Sequence, residues 1–532
     1  MKKILALLAF FGLFLMSCSD DDNAPAVDPG PTEPTPENFS AGSADFSNYV
    51  AVGNSLTAGY SDGALFLDGQ IASYPNMLAS SFAQVGGGAF TQPLVPDNLG
   101  GLLLGGMPLP DFQNRFILSF ASGSPAPTRL EGSGSTEVTN ILSGPFNNMG
   151  VPGAKVYHLV APGYGSLEAL TLGAANPYYV RFASSPGATI IGDAVAQDPT
   201  FFSLWIGNND ILSYATSGGT GVDQAGNLDP SSYGSEDITD PMVFGGIYDQ
   251  LLQGLTANGA GGVVANLPDV TTIPYFTTVP FAPLDPTNPD FGPQIPTLNG
   301  TFAGLNQVFA ALGVPERSIV FAEDAASALV IKDESLTDIS QQITGALIQG
   351  GLDAGTATVF GILYGQARQA TADDLIVLPA SSEIATLNET AFATLQELGV
   401  PAATAGQLSV NGVTYPMEDQ WVLTPTEQVA VVNATNTFNA TIAQLADVYG
   451  LGFVDANAVL QQSASEGGIP LSDGSTVTAD FATGGGFSLD GVHLSPRGYA
   501  LMANAFIKSI EDTYGAALPE IDPLEYKGLY IN

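Results

Sequence analysis

Four short apolar runs, each closed by a small polar turn, constrain this chain most. Tyr49–Val52 runs into Gly53-Asn54-Ser55, and Phe201–Ile206 runs into Gly207-Asn208-Asn209-Asp210. Gly262–Ala265 is closed by Asn266-Leu267-Pro268-Asp269, and Gly452-Phe453-Val454 by Asp455. Apolar runs this short, bounded by turn formers, read as strands buried on both faces. Helical patterns lie around them, near 189–197, 243–257, 426–449 and 496–511, with Val243, Ile247, Leu251, Leu252 and Leu255 on one face of the second. Strands alternating with helices predict a parallel α/β sheet. A further helical stretch follows Ser73-Tyr74-Pro75-Asn76 through Phe82, and Lys155–Val160 reads as extended.

Two blocks break the alternation. Residues 84–145 are rich in Gly and Pro and read as a long loop insertion, of the kind that is usually functional inside a compact domain. Residues 281–424 open on Pro283, Pro286, Pro289, Pro293 and Pro296 and continue with helical stretches near 301–312 and 338–370. They read as an inserted, mainly helical cap or lid. The core is then split into a first part, 43–280, and a second, 425–515, with a C-terminal tail at 516–532.

The N-terminus reads as a targeting segment. Lys2 and Lys3 precede an apolar stretch, Ile4–Met16, that is too short for an ordinary membrane-spanning helix. Leu15-Met16-Ser17-Cys18 resembles a bacterial lipobox, which makes 1–17 a signal peptide and Cys18 the lipidated residue. Ser19-Asp20-Asp21-Asp22 resembles the acidic export signal of surface-exposed lipoproteins in the Bacteroidetes group; a solvated tether is the alternative. Residues 18–42, rich in Pro, Asp, Glu and Ser, cannot bury enough apolar area to fold and read as a disordered tether. The expected location is the outer membrane, facing outward, with the lipid anchor as the only membrane contact.

Charge narrows the function classes. The chain carries 52 Asp+Glu against 12 Lys+Arg, a formal net charge of −40. Such a surface repels nucleic acids and serves solubility. Cys18 is the only cysteine, so neither a disulfide nor thiol catalysis is available. His158 and His493 are the only histidines, so no metal or cofactor is expected, and no loop pattern motivates a Ca²⁺ site.

Four elements carry chemistry. Ser55 follows a strand at the start of a helix, where a nucleophile or a plain N-cap can sit. Asp490 and His493 are three residues apart, so a carboxylate can orient an imidazole that takes a serine proton; bracing the helix begun by Ser495-Pro496 is the alternative. Asn209 closes the Phe201–Ile206 strand and can donate to an oxyanion, or simply form a turn. Gly153, in Asn148-Met149-Gly150-Val151-Pro152-Gly153, can offer a backbone N–H or serve the turn alone. His158 lies beside Tyr157, away from any carboxylate motif, and reads as a packed or surface residue.

Taken together, and in this chain order, these elements resemble the SGNH hydrolases, also called the GDSL esterase/lipase family. The resemblance covers 250–300 residues at most. It implies a flavodoxin-like three-layer α/β/α sandwich around a five-stranded parallel sheet. It makes Ser55 the nucleophile, His493 the general base and Asp490 its orienting partner. The oxyanion hole becomes the Ser55 N–H, Gly153 and Asn209. Leu267-Pro268 and Phe453-Val454-Asp455 also look like family landmarks. Two departures stand out. Asn54 occupies the position where the family has Asp, and the blocks are spread by the two insertions. The implied activity is hydrolysis of carboxylic esters through an acyl-enzyme, on acyl lipids or similar apolar esters. A carbohydrate acetyl esterase at the cell surface is one alternative, and a non-catalytic surface binding lipoprotein that keeps the fold is another. The insertions are expected to decide the substrate, the Phe-, Leu- and Gly-containing cap suiting an apolar pocket.

Overall fold

A computed structural model describes residues 38–121 and 123–531. The expected signal peptide, the lipobox-like Cys18 and most of the expected tether lie outside the described residues. Ser40 exchanges backbone hydrogen bonds with Ala517.

Five strands form the central sheet: β1 (Tyr49–Gly53), β2 (Asn148–Gly150), β3 (Phe201–Trp205), β4 (Gly261–Ala265) and β5 (Gly452–Val454). Their spatial order is β5-β4-β3-β1-β2, and every pairing is parallel. One row, Asn148–Ala51–Ser203–Val263–Gly452, crosses the whole sheet. Successive strand residues point to opposite faces, and both faces are covered. Val50, Val52, Phe202, Leu204 and Val264 join one buried cluster. Tyr49, Ala51, Phe201, Trp205, Val263 and Ala265 join the other. Helices Tyr74–Ala83 and Pro496–Tyr514 pack on the second face. Helices Pro241–Thr256 and Pro425–Tyr449 pack on the first, where Phe244 and Phe438 stack at 4.0 Å between ring centroids. The architecture is therefore α/β, a central parallel sheet flanked by helices.

Local chemistry explains the long helix Pro425–Tyr449. Thr424 and Glu427 form a capping box at its start, Pro425 sits in the first turn, and Gly450 ends it in the left-handed conformation. Residues 155–160 differ from the extended reading. Val156–Val160 is a 3₁₀ turn in which the His158 ring accepts the Lys155 N–H. Val156 and Leu159, three apart, fall on one face of that turn and are fully buried.

The first insertion is irregular apart from two antiparallel hairpins, Leu103–Leu104 with Met107–Pro108 and Phe116–Ser119 with Ala126–Arg129. The second carries helices Ile295–Ala311, Ser340–Gln349, Ala354–Tyr364, Glu389–Glu397 and Ala402–Leu408. Its buried Phe302, Phe309, Ile343 and Tyr364 belong to the same cluster as Phe244 and Phe438, so it shares the core rather than building its own. Among the described residues no helix is long and apolar enough to cross a membrane.

Candidate active site

Strand β1 ends at Gly53, where a side chain would collide with Thr57 Oγ1 and the Trp205 carbonyl. The chain then turns through Asn54 into the one-turn helix Ser55–Ala58. Asn54 Oδ1 accepts the Leu56 N–H at 3.0 Å, and its Nδ2 donates to Asn208 Oδ1 at 3.0 Å. An amide at residue 54 thus ties the serine turn to the turn after β3. A carboxylate has no proton for that second bond.

Ser55 Oγ lies 2.9 Å from His493 Nε2, and His493 Nδ1 lies 2.9 Å from Asp490 Oδ2. Asp490 also accepts the N–H groups of Gly63, Val492 and His493 and the hydroxyl of Ser488. Burial works against ionising Asp490, but the His493 ring and these hydrogen bonds outweigh it and hold the group well below the ordinary carboxylate range. An ionised Asp490 accepts from Nδ1–H, which leaves Nε2 free to accept the serine proton.

The turn after the serine helix grips the loop that carries Asp490 and His493. Tyr499 Oη donates to the Tyr60 carbonyl, and Ser61 Oγ donates to that of Leu494. The Asp62 N–H donates to Ser488 Oγ, while Asp62 Oδ1 accepts the Leu489 N–H. The Tyr60 ring lies 4.6 Å from that of His493. Asp62 is 2% exposed, adopts a left-handed backbone (φ 52°), and its Oδ2 finds no hydrogen-bond partner among the described residues. Arg115 stands 3.9 Å from that oxygen, its guanidinium 4.8 Å from the ring centre of Phe66 and 4.5 Å from that of Tyr530. Burial, reinforced by the charge of Asp490, pushes Asp62 up to about 7 against the pull of the Leu489 N–H and Arg115. Nothing in the sequence singles out Asp62, Ser488 or Tyr60. Tyr60-Ser61-Asp62-Gly63 carries only a turn signal, and its partners lie more than 400 residues away.

Asn209 opens the helix Asn209–Thr216 and donates through Nδ2 to the Ala154 carbonyl at 2.9 Å. That bond ties it to the turn containing Gly153, which has φ 80°. The Gly153 N–H makes no hydrogen bond to the described residues. Ser55, Asn209 and His493 border one pocket; Gly153 stands outside its lining. His158 lies elsewhere, stacked on Tyr164 at 4.4 Å, and burial pushes it down to about 3, so it stays neutral.

The pocket encloses about 800 Å³ including its open mouth. Its walls come from the strand ends at Trp205 and Pro268, from helix Ala456–Ala464, from the hairpin Ile469–Pro470/Thr476–Val477, and from the start of helix Pro496–Tyr514. No residue of 84–145 or 281–424 lines it. This departs from the expectation that the insertions shape the substrate pocket. The second insertion instead reaches the loop at Gly491 (φ 72°), where a side chain would meet Leu378 at 2.9 Å and the Tyr275 backbone at 3.1 Å. Among the described residues no group of three or more His, Cys, Asp or Glu could hold a metal ion. Comparison with protein-family models, curated proteins and solved structures finds no match.

Proposed function

We propose that the chain is a serine ester hydrolase of the SGNH type. The hydrogen-bonded line Ser55 Oγ–His493 Nε2/Nδ1–Asp490 carries this reading. The strand order, 2-1-3-4-5 with β1 ending at the serine, is that of flavodoxin-like sheets, whose ligands sit beyond the carboxyl ends of the strands.

Ser55 Oγ attacks the ester carbonyl carbon as its proton passes to His493 Nε2. Asp490 stabilises the imidazolium. The oxyanion is met by the Ser55 N–H at a helix start, by Asn209 Nδ2 and by the Gly153 N–H. His493 then protonates the leaving alcohol, the ester C–O bond breaks, and the acyl group stays on Ser55. Water deprotonated by His493 releases the acid. Under the same reading the enzyme is tethered through Cys18 at the outer membrane and works on esters at the cell surface.

Hydrolysis of p-nitrophenyl esters from acetate to palmitate, with Ser55→Ala alongside, tests the reading. We expect wild-type turnover and loss of at least about 10³-fold in the variant. A wild type inert on every ester, or a Ser55→Ala variant as active as wild type, overturns it. Activity confined to acetate would favour the carbohydrate acetyl esterase.

A further inference from the structure

The pocket beside Ser55 is lined by no Asp, Glu, Lys or Arg. This is notable in a chain with 52 acidic residues. Besides Ser55, Asn209 and His493, its polar side chains are Trp205, Asn208 and Ser463. Each already has a protein partner. Trp205 Nε1 donates to the Asn266 carbonyl at 3.0 Å, Asn208 Oδ1 accepts from Asn54, and Ser463 Oγ donates to the Leu460 carbonyl at 2.8 Å. A sugar placed here would leave hydroxyls unpaired, at a cost for each. A hydrocarbon chain asks for no hydrogen bond from these walls, leaves only the Asn208 Nδ2 donor without a new partner, and gains from every methylene covered.

We infer that this slot takes the acyl chain of a straight-chain fatty ester, and that Leu460 helps set the chain length. The inference rests on the serine hydrolase reading. The choice of acyl over alcohol follows from the two-step chemistry. The acyl group stays bonded to Ser55 through both steps, whereas the alcohol must leave past His493 before water arrives. A walled apolar slot suits the part that stays. Helix Ala456–Ala464 presents Leu460 to the slot, 6% exposed. No hydrogen bond of the serine–histidine–aspartate line runs through its side chain.

The test compares p-nitrophenyl esters of two to twelve acyl carbons with acetates of two- to twelve-carbon alcohols. kcat/KM is expected to rise about fourfold per acyl methylene up to a plateau, the gain from burying one methylene, and to stay nearly flat along the alcohol series. Leu460→Ala should move the plateau to longer chains, and Leu460→Trp to shorter ones. Inactivation of the wild type by p-nitrophenyl alkylphosphonates of rising length should follow the acyl profile, which needs no variant to fold. A flat acyl profile, dependence on the alcohol chain, or a plateau unmoved in folded Leu460 variants overturns the inference while ester hydrolysis stands. Binding of a fluorescent fatty acid that Leu460→Trp abolishes, in a protein that hydrolyses no ester, supports the slot and overturns the hydrolase reading instead.

Discussion

Replacing Asp62 with Asn should stabilise the protein, and the gain should grow with pH. Asp62 is buried beside the ionised Asp490, and its carboxyl is pushed up to about 7. In the unfolded chain the same group titrates near an ordinary Asp, at about 3.9. Because the folded form holds the proton more tightly, acid favours the folded state. Stability from this group therefore falls as pH rises from about 4 to about 7 and levels off above. Over roughly three pH units the loss is of order 4 kcal/mol, of which about 2.5 kcal/mol falls between pH 5 and 8. The amide of Asp62→Asn keeps the acceptor for the Leu489 N–H and carries no charge to desolvate, so the variant escapes this term. The attraction between Arg115 and the ionised Asp62 across 3.9 Å is already contained in that value of about 7 and is not subtracted again. At roughly 2.1 cal/mol/K per residue over the folded chain, 1 kcal/mol moves Tm by about 1 °C. The assay is thermal unfolding of Asp62→Asn and wild type from pH 5 to 8. The Tm difference should widen in favour of the variant by about 2–3 °C. A difference that is constant across this range refutes the assignment of a titrating, buried Asp62.

Two further outcomes test the catalytic arrangement. Asp490→Asn should keep the fold and lower kcat by about 10⁴-fold, because an amide donor facing Nδ1 favours the wrong tautomer of His493; ester kinetics with a circular dichroism control measure it. Gly153→Ala meets no atom closer than Asn176 Nδ2 at 3.8 Å, so it should fold, with about 1–2 kcal/mol of strain from the left-handed backbone. Displacement of its N–H should lower kcat about 10–100-fold with KM little changed, and an unaltered kcat would remove Gly153 from the oxyanion hole.

Much of the sheet was legible because its strands are self-announcing. Phe201–Ile206 is apolar without interruption, and Gly207-Asn208-Asn209-Asp210 ends it with residues that form turns. Ser55, Asp490 and His493 could be read as a set because a strand end and a fixed three-residue offset are local patterns. Strand β2 has only three residues, Asn148–Gly150, too few to carry a period. The 3₁₀ turn at Val156–Val160 resembles a strand in composition, and the His158 contact that closes it is invisible to periodicity. Asp62 looks like any turn aspartate until the fold brings residues 488–494 against it. The pocket walls were hidden for another reason. Val459, Leu460 and Ser463 lie at helical spacing, and an apolar helix face reads the same whether it meets a neighbour or an empty slot. The insertions, by contrast, are conspicuous in the sequence by their size alone.

The clasp between the Tyr60–Gly63 turn and residues 488–494 also sets when the site can exist. Ser55 and His493 are 438 residues apart along the chain. Strands β1, β2 and β3 can pair before residues 488–494 dock, and the serine then faces neither imidazole nor carboxylate. Edge strand β5 and helix Pro496–Tyr514 come last, and the loop between them delivers both. Such long-range closure is the slow part of folding. Under the proposed function, a chain in which residues 488–494 have not yet docked carries a silent serine, because Ser55 then lacks His493 as its partner.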